Sequence, residues 1–169
     1  MNNKKYFPSI ITGFGAAVIS TVPGLKSLMC CLLVPGAAFL AIYLYNKTMG
    51  DNQPIKLNKA LSYGLITGLV AAFFTTFFDL LITFLTHSNE LVTGLSQTEE
   101  IVNQYKLGPL FDASIKIMKE MVKEIKSTGF SPLYAVFITI GNFLVLSIFG
   151  MLGGLVGMAI LNKRNRPRF

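Results

Sequence analysis

Residues that enzymes and metal proteins depend on are scarce in this sequence. It has one histidine, His87, and only two cysteines, Cys30 and Cys31, which are neighbours. Adjacent cysteines cannot staple a fold into a disulfide framework, and no CxxC motif or His/Cys cluster has the spacing of a zinc site. GxSxG, HExxH and Walker-type loops are missing, as is a His/Asp pairing that would activate a nucleophile. The expectation is therefore a non-enzymatic protein with no catalytic, cofactor-binding or metal-binding residues. Cys30 and Cys31 read as small apolar fillers of a helix, and His87 as an interfacial residue.

Charge is scarce as well. Only 14% of the 169 residues are charged against 52% hydrophobic, and the mean hydropathy is +0.57. Soluble domains of this size are seldom so apolar. The formal net charge of +7 does not point to nucleic acid, because the basic residues flank apolar stretches and do not alternate with aromatics on a polar surface.

What the chain has in abundance is long apolar sequence, in stretches 7–25, 28–45, 60–85 and 133–161. About 20 helical residues cross a hydrocarbon core, so the third and fourth stretches each suffice, with length left for tilt. The first two are only just long enough; Pro23-Gly24 separates them and Pro35-Gly36 interrupts the second. Two kinked spans are favoured over a re-entrant hairpin, the alternative. The start, Asn2 to Lys5 before an apolar run, resembles a secretory signal. No small-x-small cleavage site follows, and it is read as a retained helix.

Orientation follows from the basic flanks. Lys4 and Lys5, then Lys47, Lys56 and Lys59, then Lys163, Arg164, Arg166 and Arg168 share one side if the number of spans between them is even. The predicted fold is all-α: a polytopic membrane bundle of four transmembrane helices in a single membrane domain, 1–169, with both termini cytoplasmic. The outer segment, 86–131, has five lysines against six acidic residues, a near-neutral balance that fits the far side.

One to two helices are expected in that segment. Ser96 and Glu99 have the spacing of a capping box, starting a short helix through Ile101, Val102 and Tyr105 that Gly108-Pro109 breaks. Over 110–128, Phe111, Ile115, Met118, Val122 and Ile125 recur at steps of four and three among lysines and glutamates, the pattern of an amphipathic helix stopped by Gly129. It suits a solvated helix resting on its own protein, and equally the outer membrane interface, a cap on the bundle, or a second copy.

Glycine marks where helices meet. Gly150, Gly153, Gly154 and Gly157 fall on one side of the last span as overlapping small-xxx-small pairs, and Gly64 and Gly68 do so on the third. The sequence leaves open which helix, or which subunit, the last span packs against. Gly64, Gly68, Ala72, Thr76, Asp79 and Thr83 form a small and polar stripe expected to face the bundle, while Phe74, Phe77, Phe78 and Leu81 face lipid. Asp79 is the one acidic residue inside a span. Its expected partners in an intramembrane polar site with Thr76 and Thr83 are Asn142 and Thr139, with Lys26 at the hairpin tip as another.

The two halves of the chain also echo each other: each opens with a Gly-rich helix and closes in Asn-Lys, at Asn46-Lys47 and Asn162-Lys163, as a duplicated helix pair would. The order of Gly-rich helix, basic inner loop, second Gly-rich helix, amphipathic outer insertion and Gly-Gly helix with a basic tail resembles the uncharacterised four-helix integral membrane domain families of bacteria. That resemblance implies the fold and carries no activity. The partners expected are membrane lipid and a second copy or other membrane proteins, with no nucleic acid. Three functions compete: an interaction or accessory subunit, a small oligomeric transporter or channel using Asp79, and a lipid-binding or membrane-stress sensor.

Overall fold

The computed structural model describes residues 6–22, 24–49, 54–105 and 108–164. Residues 2–5, Pro23, Arg166 and Arg168, which entered the readings above, lie outside the described residues. The described chain is helical: α1 (Phe7–Ser20), α2 (Val34–Met49), α3 (Leu57–Thr86), α4 (Glu90–Tyr105), α5 (Pro109–Thr128) and α6 (Pro132–Arg164). Three segments are long and apolar enough to cross a membrane, Lys26–Thr48, Leu57–Thr86 and Pro132–Arg164. They point to a membrane protein.

Surface chemistry agrees with that reading. On α3 the exposed Leu65, Leu69, Phe73, Phe77 and Leu81 recur every fourth residue, and on α6 Ile140, Leu144, Ile148, Leu152, Val156 and Ile160 do the same. An i, i+4 row is a continuous ridge along a helix, and apolar ridges this long are stable outward only in an apolar solvent.

The first stretch is shorter than its hydropathy suggests. α1 has 14 residues, about 21 Å of helix, and ends at Ser20, not Leu25. The hydroxyls of Ser20 and Thr21 donate back to the carbonyls of Ala17 and Val18 at 2.6 and 2.7 Å, Gly24 takes a positive φ of 88°, and the chain turns. The second helical path opens with a 3-10 turn at Lys26–Leu28 and a π turn at Met29–Leu33 before α2 begins. Pro35 has no N–H to give the preceding turn, and the wider π turn accommodates that loss. α2 then runs past Tyr45 to Met49.

Chain contacts divide the molecule into two compact units, Met1–Thr76 with Thr139–Phe169, and Phe77–Ile138. In the first unit, Met29, Val34, Ala71, Ala72 and Leu146 form one apolar core, and Ile42, Ile55, Ala60, Tyr63 and Leu161 form another. The second core is closed by the loop before α3, where the Ile55 N–H donates to Asn162 Oδ1 at 2.8 Å. Asn162 Nδ2 returns a bond to the Ile55 carbonyl at 3.0 Å.

The second unit contains α4 and α5. Here the expected start of α4 at Ser96 is corrected: the helix begins at Glu90, with Asn89 as its cap, the Val92 N–H donating to Asn89 Oδ1 at 2.9 Å. Asn at this position satisfies an orphan donor as well as Ser does, so Ser96 lies mid-helix and Glu99 is released to pair with Lys119 Nζ at 3.3 Å. α5 ends as expected, on Gly129 in the left-handed region (φ 76°), whose N–H donates to Ile125 O at 2.8 Å. Any side chain there would run into Phe84 O and the His87 ring. His87 itself is exposed at the end of α3 with φ 50°.

Candidate functional site

The glycines of α6 serve two neighbours at once. A Cβ on Gly150 would strike the Gly64 carbonyl and the Gly68 backbone, and one on Gly154 would strike the Ala60 carbonyl, so this half of the seam belongs to α3. A Cβ on Gly153 would strike Pro35, and one on Gly157 would come within 3.3 Å of Phe39, so the other half belongs to α2. Gly64 and Gly68 answer from α3, against Gly150 and against Leu146 and Ser147. All six predicted packing glycines therefore bring backbones of one chain together. Gly13 of α1, outside the predicted packing set, seats that helix against Thr67 and Val70 in the same way.

Farther along α3 the residues of the polar stripe are buried or half-buried. Thr76 and Thr83 are buried, and Asp79 is half-buried between them in the helical register. Asn142 on α6 donates from Nδ2 to Thr76 Oγ1 at 3.0 Å, joining two of the five predicted polar residues directly. Thr139 is half-buried and starts the α6 part of the first unit, whereas Asp79 and Thr83 belong to the second unit. Thr83 Oγ1 accepts from Asn89 Nδ2 at 3.4 Å, which ties the end of α3 to the cap of α4. Thr75, not among the predicted residues, is buried and donates to Met29 Sδ at 3.7 Å.

Two of the aromatics expected to face lipid are partly covered. Phe74 is half-buried and packs edge-on against Phe14 of α1 with ring centroids 4.8 Å apart, and Phe78 is half-buried as well, while Phe77 and Leu81 are exposed as expected. The buried arc of α3 is wider than the small-residue stripe because α1 covers a second side of it.

On α5, Val122 and Ile125 are buried, Ile115 and Met118 half-buried and Phe111 exposed. Met121 is also buried, though outside the predicted stripe. Lys116, Lys119, Lys123 and Lys126 are all exposed and fall within one arc of the helix. A cleft of about 220 Å³ is lined by Glu99, Val102 and, from α5, Asp112, Ile115 and Lys119. Among the described residues no group of three or more His, Cys, Asp or Glu side chains is placed to hold a metal ion. Cys30 is half-buried and Cys31 exposed, both as free thiols.

The chain matches no family model, no curated protein and no solved structure. Its reading rests on its own geometry.

At the opposite end of the first unit, tyrosines gather around the basic residues that set the expected orientation. Tyr63 is buried, with the rings of Tyr45 and Tyr6 at 4.7 and 5.5 Å from its own. Lys59 Nζ lies 5.7 Å from the Tyr45 ring centre, and the Arg164 guanidinium lies 5.7 Å from that of Tyr43. Tyrosines interleaved with Lys and Arg are what a helix end at a membrane–water boundary requires.

Proposed function

We propose that this is a small multi-pass membrane protein of non-enzymatic type, an interaction or accessory subunit that presents its α4–α5 pair to a protein partner or to a second copy. The observation that carries the reading is the separate second unit. Within that unit α5 buries Val122 and Ile125 and leaves four lysines of one arc exposed, a charged face of its own. The α6 glycines are occupied within the chain, so any partner is expected to engage this face and not the seam.

The proposed topology has four crossings with both termini cytoplasmic, in the manner of the uncharacterised four-helix bacterial membrane domains that the sequence resembles. α1, at about 21 Å, crosses together with the turn that follows it. In a chain with Cys30 and Cys31 replaced by serine, Lys116→Cys should react with an impermeant thiol reagent in intact cells and Lys163→Cys should not. Purification in mild detergent after crosslinking should recover a complex or oligomer joined through α5. A lone monomer under all crosslinking conditions would overturn the interaction reading.

A second reading is favoured by Asp79, a half-buried carboxylate within a membrane-long helix, flanked in register by buried Thr76 and Thr83. Ionisable groups at such positions mark proton or ion pathways. This reading requires flux in proteoliposomes that Asp79→Asn abolishes; flux unchanged by that substitution would remove it.

A further inference from the structure

Charge is divided unequally between the two units. Every described acidic residue lies in the second, whereas Lys47, Lys56, Lys59, Lys163 and Arg164 belong to the first. These five stand where three elements end or begin. Lys47 is in the last turn of α2, Lys59 in the first turn of α3, and Lys163 and Arg164 in the last turn of α6. The paired bonds between Asn162 and Ile55 fix the loop before α3 to the end of α6, and each partner is followed in sequence by a lysine, Lys163 and Lys56. Tyr45 and Tyr43 lie beneath Lys59 and Arg164 and hold both cations against the helix ends. The first unit thus gathers positive charge at one end with no described carboxylate to answer it.

We propose that this end is a binding site for the phosphodiester headgroup of an anionic phospholipid, with Lys59 and Arg164 as its principal contacts and Lys56 and Lys163 at its edge. The inference rests on the reading that α3 and α6 cross the membrane, which sets the ends of these helices at headgroup depth. A cation stacked on a tyrosine ring keeps N–H donors directed away from the ring, and the guanidinium fork of Arg164 matches two phosphate oxygens. A phosphodiester carries the negative charge that these cations attract. A zwitterionic headgroup adds its own cation and is disfavoured by the same surface.

The test uses the full chain, purified in mild detergent and offered phosphatidylglycerol and phosphatidylcholine of matched acyl chains, with retained lipid read by native mass spectrometry. The unmodified chain should prefer phosphatidylglycerol by about tenfold. Lys59→Gln with Arg164→Gln should remove most of that preference, and the charge-keeping pair Lys59→Arg with Arg164→Lys should retain much of it. If the first pair does not fold, Lys56→Gln with Lys163→Gln, both at exposed positions, should still lower the preference measurably. Lys116→Gln with Lys123→Gln on α5 should leave it unchanged. Equal retention of both lipids, a preference that survives all substitutions at this end, or an equal loss from the α5 pair would each overturn the site. Release of the chain from membranes by alkaline carbonate would instead defeat the spanning reading.

Discussion

Asn162 holds Ile55 by both arms of its side-chain amide, accepting the Ile55 N–H at 2.8 Å and donating to its carbonyl at 3.0 Å, across 107 residues of sequence. An unpaired N–H and carbonyl before α3 are thereby satisfied by the last turn of α6. Ile55 is buried with Leu161 and Tyr63, and the bonds to the half-buried Asn162 are partly withdrawn from water. Asn162→Leu should cost about 1–3 kcal/mol by leaving those groups unsatisfied. The measurement is unfolding in mixed micelles, with faster exchange of the Ile55 amide as the local sign; an unchanged amide would count against the pairing.

The α3–α6 crossing predicts asymmetric tolerance among glycines. Gly64→Val or Gly150→Val forces a side chain into the opposing backbone and should destabilise the chain by about 1–3 kcal/mol or more. Gly15→Ala meets nothing within 4 Å and should be neutral or slightly stabilising. Comparable losses at Gly15 and Gly150 would mean the helices cross elsewhere.

The bond from Asn142 to Thr76 should couple the two residues energetically. A double-mutant cycle of Asn142→Leu and Thr76→Val is expected to give about 0.6 kcal/mol of interaction, the average for hydrogen bonds between membrane helices, and at most about 1.7 kcal/mol. A coupling indistinguishable from zero would show that this contact does not orient α6 on α3.

On α5, burial and charge make opposite forecasts. Ile125 is fully buried at 0% exposure, and Ile125→Ala should cost about 2–5 kcal/mol. The Lys119–Glu99 pair is largely solvated, with the lysine side chain 56% exposed, and Lys119→Gln should change stability by less than about 1 kcal/mol. Limited proteolysis of the α4–α5 segment reports both, and the lysine variant should be cut no faster than the parent.

Features that are sums or periods of local properties are legible in the sequence. Hydropathy summed over a helix's length marked α3 and α6 within a few residues of their ends. The spacing of Val122 and Ile125 marked the inner face of α5, and Gly129 ended it because the left-handed turn there disfavours a side chain. The caps were less legible, since Asn89 and Ser96 offer the same chemistry and only the chain's path selects one. Tertiary structure alone decided which backbones the glycines admit, that Phe74 meets Phe14 and not lipid, and that Asn162 reaches Ile55. The physical reason is common to all three: a missing side chain, an aromatic ring and a primary amide each suit many neighbours, and the neighbour is chosen only when helices distant in sequence are brought within contact.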